Sequence, residues 1–325
     1  MADEDRRGTN HTGPESTRER NLETAIDSYA HKREAREDAR LAGESKSGRA
    51  RSGIEKLMTR TLYGALYAVI VLACLWFGKI PTAALFAAMA WLCCSEFFRI
   101  ARMMGRMPNE VIGLAAAVVF PILPLLPDAW TPFWLSLLVL AAGVWYVWTL
   151  PASIGDVALT VFGPVYTGYL MSSVVMIRML EPPVPGTSLG SFLLVFGVIA
   201  SIWMSDAAAY FVGSRFGRHK MVPKISPNKT WEGFAGGLVG SVFVWLLMAV
   251  LQVPGVNLWL AIVGGLCVGI VSVIGDLFES RLKRAAGVKD SGNFIPGHGG
   301  MLDRSDSILF GCMTAYLILK LGGFS

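Results

Sequence analysis

Charge is what this sequence has least of. Only 16% of its 325 residues are Asp, Glu, Lys or Arg, where a soluble chain carries about a quarter. Roughly half of those charges fall within the first sixty positions. The rest is apolar runs separated by short polar loops, with 53% hydrophobic residues and a mean hydropathy of +0.50. An ordinary soluble domain is excluded, and a polytopic membrane protein is implied. Cysteine is also scarce. Cys74, Cys93, Cys94, Cys267 and Cys312 all sit in apolar runs, and none has zinc-ligand spacing with a second pair or with histidines. They read as small buried hydrophobes. The ten-residue alternation of a membrane barrel is missing, so the spans are helical. No inverted or parallel repeat is visible, which weakens a secondary-transporter reading. A secretory signal is lacking too, because no apolar core follows a short basic start.

Residues 1–57 mix both signs of charge with few apolar side chains. Such a segment buries too little to offset its ordering entropy, so a disordered tail is predicted. Its basic end, "KSGRARSGIEKLMTR", suits an anionic membrane face. Residues 58–325 then form an all-α membrane domain. A helix crosses the apolar core with about 20 residues. Nine spans are predicted, at 60–78, 81–98, 111–127, 132–150, 156–179, 189–212, 233–252, 257–276 and 305–321. Lys and Arg gather in alternate loops: Arg99, Arg102 and Arg106; Arg215, Arg218, Lys220, Lys224 and Lys229; Arg281, Lys283, Arg284, Lys289 and Arg304. The intervening loops are nearly free of them. The rule that basic loops stay inside puts these loops and the N-terminus in the cytoplasm of a multi-pass cell-membrane protein.

Two of these loops hold more chemistry than a connection needs. The first, "SDAAAYFVGSRFGRHKMVPKISPNKTWEGFAGG", begins with Asp206 inside an apolar span. An ionisable group at that depth faces a polar cavity and has a partner. Ser226, Pro227 and Asn228 suit a turn, and Thr230 suits the cap of the next helix, without the acidic residue a capping box requires. The second, "SRLKRAAGVKDSGNFIPGHGGMLDRSD", separates two apolar runs. Asp276 stands before it, and Asp303 and Asp306 stand at its end. The chain leaves the membrane near Asp276 and returns near Asp303, so these carboxylates can meet. Hard oxygen ligands beside phosphates suit Mg²⁺. Lys283, Arg284, Lys289, His298 and Arg304 are donors for phosphate oxygens. Gly297, Gly299 and Gly300 let backbone N–H groups approach an anion. Acids for a metal with bases for phosphates describe phosphoryl or nucleotidyl transfer. This chemistry does not name the substrate.

The second loop, from Ser280–Arg281–Leu282–Lys283–Arg284 through Lys289–Asp290 to Pro296–Gly297–His298–Gly299–Gly300–Met301–Leu302–Asp303–Arg304–Ser305–Asp306, resembles the signature of bacterial-type phosphatidate cytidylyltransferases. The first loop is similar to that family's other cytoplasmic segment. The likeness runs from about residue 60 and is strong from about 200; Ser305 departs from it, where the family pattern usually has an apolar residue. The resemblance implies transfer of CMP from CTP to phosphatidic acid, giving CDP-diacylglycerol and pyrophosphate. It implies Mg²⁺, a homodimer among membrane lipids and no nucleic-acid partner. Asp276 and Asp303 would hold the metal, with Asp306 a weaker candidate. Lys283, Arg284, Lys289 and Arg304 would hold phosphates. His298 would donate to a phosphate or fix the loop. Asp206, Ser226, Lys229 and Thr230 would bind the nucleotide or the lipid phosphate. Two rivals remain open: a CTP-dependent enzyme acting on another membrane acceptor, and an anion transporter. For the transporter, only Asp206, with Asp156 and Glu96 near span ends, offers a polar path.

Overall fold

The computed structural model describes residues 64–127, 130–181, 188–292 and 299–324. The chain divides into two units, Met1–Thr59 and Arg60–Ser325, and every described residue belongs to the second. The expected disordered tail at 1–57 lies outside the described residues, as does His298.

Long apolar runs become long helices because, in lipid, every backbone polar group must be satisfied within its own segment. In chain order they are α1 (Gly64–Phe77), α2 (Lys79–Met103), α3 (Glu110–Val119), α4 (Trp130–Trp148), α5 (Ile154–Pro164), α6 (Leu170–Met179), α7 (Ser188–Phe216), α8 (Trp231–Val250), α9 (Leu258–Ala285) and α10 (Leu302–Leu321). The starts of α3, α5, α8 and α9 are marked by Asn109, Ser153, Thr230 and Asn257, each accepting a first-turn N–H. Thr230 therefore caps α8 as expected, taking the Gly233 N–H at 3.1 Å. α5 and α6 are one rod with a π-turn, Val165–Tyr169, between them. Pro164 lacks the N–H that a regular ladder would use there.

Among the described residues, six helices are long and apolar enough to cross a membrane: α2, α4, the α5–α6 rod, α7, α8 and α9. α1, and α3 with its 3-10 extension to Leu125, are shorter. α10 opens with Asp303, Arg304 and Asp306. Six, rather than the expected nine, is thus the count that length and composition alone support.

The all-α expectation needs one addition. Between α7 and α8 lies an antiparallel hairpin, β1 (Lys220–Val222) and β2 (Ser226–Thr230), with Lys220 opposite Thr230 and Val222 opposite Ser226. Ser226, Pro227 and Asn228, expected as a turn, belong to β2. The turn falls earlier, where the Ile225 N–H donates to the Val222 carbonyl at 3.1 Å. Pro227 is tolerated because a two-stranded ribbon consists only of edges.

The largest apolar core joins α2, the π-turn, α6, α7, α8, α9 and α10. Tyr166 of the π-turn packs its ring on Phe97, Phe162, Phe278 and Phe310. All five cysteines are free thiols; three are buried, and Cys74 and Cys267 are half-buried. Two close approaches position the polar groups at the helix ends. On α8, Gly237 lies tightly against Ser205 of α7, and Gly240 lies against Met204 and Ala208 with no room for a Cβ. Small residues let membrane helices come this near. On α9, Gly275 lies against the Asp306 carbonyl and Phe310 of α10. That contact brings the next residue, Asp276, beside the start of α10.

Candidate active site

The helix ends bearing the basic residues surround two cavities. The first, of about 560 Å³, lies beneath the hairpin and is lined by Asp206, Gly213, Lys220, Asn228, Lys229, Thr230 and Asp276, among others. The glycine seam holds α8 on α7, so Lys229, just before α8, stands over Asp206. Its ammonium pairs with Asp276 Oδ2 at 2.7 Å and donates to the Val273 carbonyl at 3.5 Å. The other Asp276 oxygen accepts from Ser280 Oγ at 3.1 Å. The second cavity, of about 330 Å³, lies between α1, α7 and α10. Its lining includes Tyr67, Trp203, Asp206, Asp303, Arg304 and Asp306. Asp206 thus borders both spaces. Asp206, Asp276 and Asp306 are close enough to repel one another electrostatically, and Lys229 faces both Asp206 and Asp276.

A second cluster adjoins this one. Lys283 donates to Asp303 Oδ1 at 2.6 Å and pairs with the fully buried Glu279 one turn back. Asp303 also accepts the Ser291 N–H at 3.0 Å and the Gly300 N–H at 2.8 Å. Gly299, with φ at 84°, takes a left-handed turn just before it. Asp303 thus anchors the glycine-rich loop through both of its carboxylate oxygens. Of the expected metal pair, Asp276 lines the first cavity and Asp303 the second, and Asp206 borders both.

The remaining expected site residues occupy different places. Asp206, Lys229 and Thr230 line the first cavity, although the Thr230 hydroxyl is occupied by its cap. Ser226 is half-buried in β2 and lines neither cavity. Arg304 borders the second cavity. Arg284 fastens α9 to the hairpin by donating to the Ile225 carbonyl at 3.3 Å, and it also donates to the Val288 carbonyl at 2.8 Å. Lys289 is exposed beyond α9. Ser305, the departure from the family pattern, is fully buried.

Sequence reasoning does not assign Lys220, Glu279, Glu96 or Arg99 to the site. Lys220 reads there only as a topology marker. Glu279 lies in the charged run "DLFESRLKR", where nothing in the spacing separates it from its exposed neighbours. Glu96, on α2, reads only as a polar group near a span end. It accepts from Ser291 Oγ at 2.8 Å and from the Met301 and Leu302 N–H groups at 3.0 and 2.8 Å. Arg99 donates to the Ser291 carbonyl.

The donor set bears on whether a metal fits. Among the described residues no group of three His, Cys, Asp or Glu side chains forms a ready metal cage. Mg²⁺ does not need one, since it keeps several waters and takes one or two carboxylates plus substrate phosphates. The second cavity, with Asp206, Asp303 and Asp306 in its lining against Arg304, matches that requirement.

Residues 58–322 match the model of the cytidylyltransferase family. The chain is 33% identical over 273 residues to the phosphatidate cytidylyltransferase of Bacillus subtilis, covering 81% of this chain and 97% of that protein. It is 48% identical over 109 residues to that of Staphylococcus saprophyticus, covering 34% of this chain and 42% of the relative. Over 127 residues it is 42% identical to that of Mycobacterium tuberculosis H37Rv, covering 39% of this chain and 38% of the relative. A match spanning all the helices and both cavities leaves one conclusion: the chain belongs to the cytidylyltransferase family.

Proposed function

We propose that this protein is a phosphatidate cytidylyltransferase, joining CTP and phosphatidate to give CDP-diacylglycerol and pyrophosphate. The observation that carries this reading is Asp206, a carboxylate within an apolar helix that borders two cavities at once. One cavity is roofed by a polar hairpin and suits a nucleotide. The other, between helices, has Arg304 beside Tyr67 and Trp203 and suits a lipid phosphate with its apolar body in the bilayer. Basic loops gather at this end, which supports a cytoplasmic orientation, where CTP is available.

In the reaction a phosphatidate oxygen attacks the α-phosphorus of CTP. The bond from that phosphorus to the bridging oxygen breaks, and pyrophosphate leaves with the electron pair. The attacking oxygen is already anionic, so little general-base help is required. Catalysis rests on positioning and on charge neutralisation. Lys220 and Lys229 suit the triphosphate, and Arg304 suits the lipid phosphate. Lys283, held by Glu279 and Asp303, keeps the start of α10 in place. A bound Mg²⁺ would neutralise charge on the transferring phosphate; Asp276 and Asp303 are its proposed ligands, with Asp206 and Asp306 beside them. Asp303 would share its carboxylate with Lys283. A homodimer remains part of the proposal, and cross-linking in native membranes tests it by seeking a species of twice the chain mass.

The direct test is purified protein with Mg²⁺, labelled CTP and phosphatidic acid. Labelled lipid and released pyrophosphate are expected. Label passing only to another acceptor, such as a polyprenyl phosphate, would replace phosphatidate as substrate. No transfer to any lipid would end the enzymatic reading.

A further inference from the structure

Glu96 is the charged residue of the stretch "AWLCCSEFF", and is 8% exposed. A carboxylate so placed is costly unless donors surround it. Among the described residues its three donors come from the two ends of one distant loop. Ser291 supplies its hydroxyl at one end; Met301 and Leu302 supply their N–H groups at the other. One turn along α2, Arg99 grips the Ser291 carbonyl. α10 has no side-chain cap of its own. Glu96 is therefore its cap, lent by another helix, with its charge at the positive end of the helix dipole. The fit is close: a Cβ on Gly292 or Gly300 would overlap the Glu96 carboxylate.

The residues that Glu96 holds also hold Asp303, which accepts from the N–H groups of Ser291 and Gly300. Asp303 in turn holds Lys283. We propose that Glu96 is a positioning residue for the transfer reaction. With Arg99 it clasps both ends of the 291–302 loop and so sets the Lys283–Asp303 pair and Arg304 at the second cavity. Glu96 lines neither cavity, so it acts only through these groups. Its activity readout rests on the proposed transferase reaction; its structural readout does not.

Glu96→Ala, Glu96→Gln and Ser291→Ala are compared with the parent in native membranes by kcat and KM for CTP, and by trypsin cleavage after the exposed Lys289. A glutamine oxygen can still accept from Ser291 and Leu302, and only the Met301 bond is lost. Glu96→Ala is expected to lower kcat by about thirtyfold or more, with KM for CTP within about threefold, and to speed cleavage about tenfold or more. Glu96→Gln should recover most of both, to within about fivefold of the parent, and Ser291→Ala should lose about three- to tenfold in kcat. If Glu96→Ala does not insert, the other two variants carry the test. Parental kcat and cleavage in Glu96→Ala would overturn the clasp. So would a Glu96→Gln variant as impaired as alanine, or a Ser291→Ala variant unchanged in both readouts. A parent protein without transferase activity would remove the reaction, and the cleavage comparison would still decide whether Glu96 holds the loop.

Discussion

Asp276 and Lys229 form the ion pair at the wall of the first cavity, 2.7 Å apart. They come from β2 and α9, and each is part-exposed to the space where a triphosphate would lie. Asp276→Asn keeps size and hydrogen bonding but removes the charge. If Asp276 holds a metal ion, turnover should fall about a hundredfold, on the order of 3 kcal/mol in transition-state stabilisation, and the Mg²⁺ requirement should rise. A titration of turnover against Mg²⁺ measures both, and near-parental turnover would remove Asp276 from the metal site. Asp303→Asn should lose a comparable factor by a second route as well, because it also releases Lys283 and two loop N–H groups. Combined with Asp276→Asn it should cost much less than the product of the single losses, since one disabled site cannot be disabled twice. Asp290→Asn, at an exposed position in the same loop, should stay within a few-fold of the parent. Legibility at this scale is uneven. Asp206 and Asp276 stand out because charge in an apolar run is expensive. The pairing of Lys283 with Asp303 across 20 positions is invisible to spacing.

At the scale of elements, the glycines of α8 and α9 decide how near the helices stand. Gly275 faces the Asp306 carbonyl without room for a Cβ. Gly275→Val should wedge α9 from α10, lower thermal stability by about 1–3 kcal/mol and reduce turnover by at least tenfold, as Asp276 moves off Lys229. Gly143 of α4 has nothing within 4 Å of a built Cβ. Gly143→Ala should therefore leave both thermal unfolding in detergent and turnover close to parental. Equal effects from the two substitutions would show that the α9–α10 approach is not what sets the site. The hairpin is the element that the sequence concealed. "SPNKT" carries Pro and Asn, which read as turn residues, yet pairing with β1 makes it a strand. Local propensity was overridden by a partner strand and by the need to connect α7 with α8 over the cavity.

Across the whole molecule, two features are open to measurement. The family match begins at residue 58, and both cavities are built from residues beyond it. Removing residues 1–47 should keep at least about half of the activity per inserted molecule, measured as labelled lipid formed; a truncation that inserts normally and makes no product would give the tail a role in the reaction. The apolar runs imply nine crossings and the distribution of Lys and Arg puts the N-terminus inside, whereas among the described residues six helices satisfy length and composition. Reporter fusions at Met1 and Ser325 should report opposite sides of the membrane, and finding both ends on one side would sink the nine-span count.

Much is determined by the sequence alone. Apolar run length dictates helices, because unsatisfied backbone groups are intolerable in hydrocarbon. Asp206, lodged in such a run, announces a polar cavity, and the loop at 280–306 announces phosphate chemistry by its residue types. Only the tertiary structure decided which of these groups meet. It put Asp276 with Lys229, tied Asp303 to Lys283, and placed Asp206 between two cavities. It also showed Glu96 capping α10 from a distant part of the chain. Spacing reports neighbours on one helix face, but contacts between helices depend on where small residues let backbones approach, and that is settled only when the helices pack.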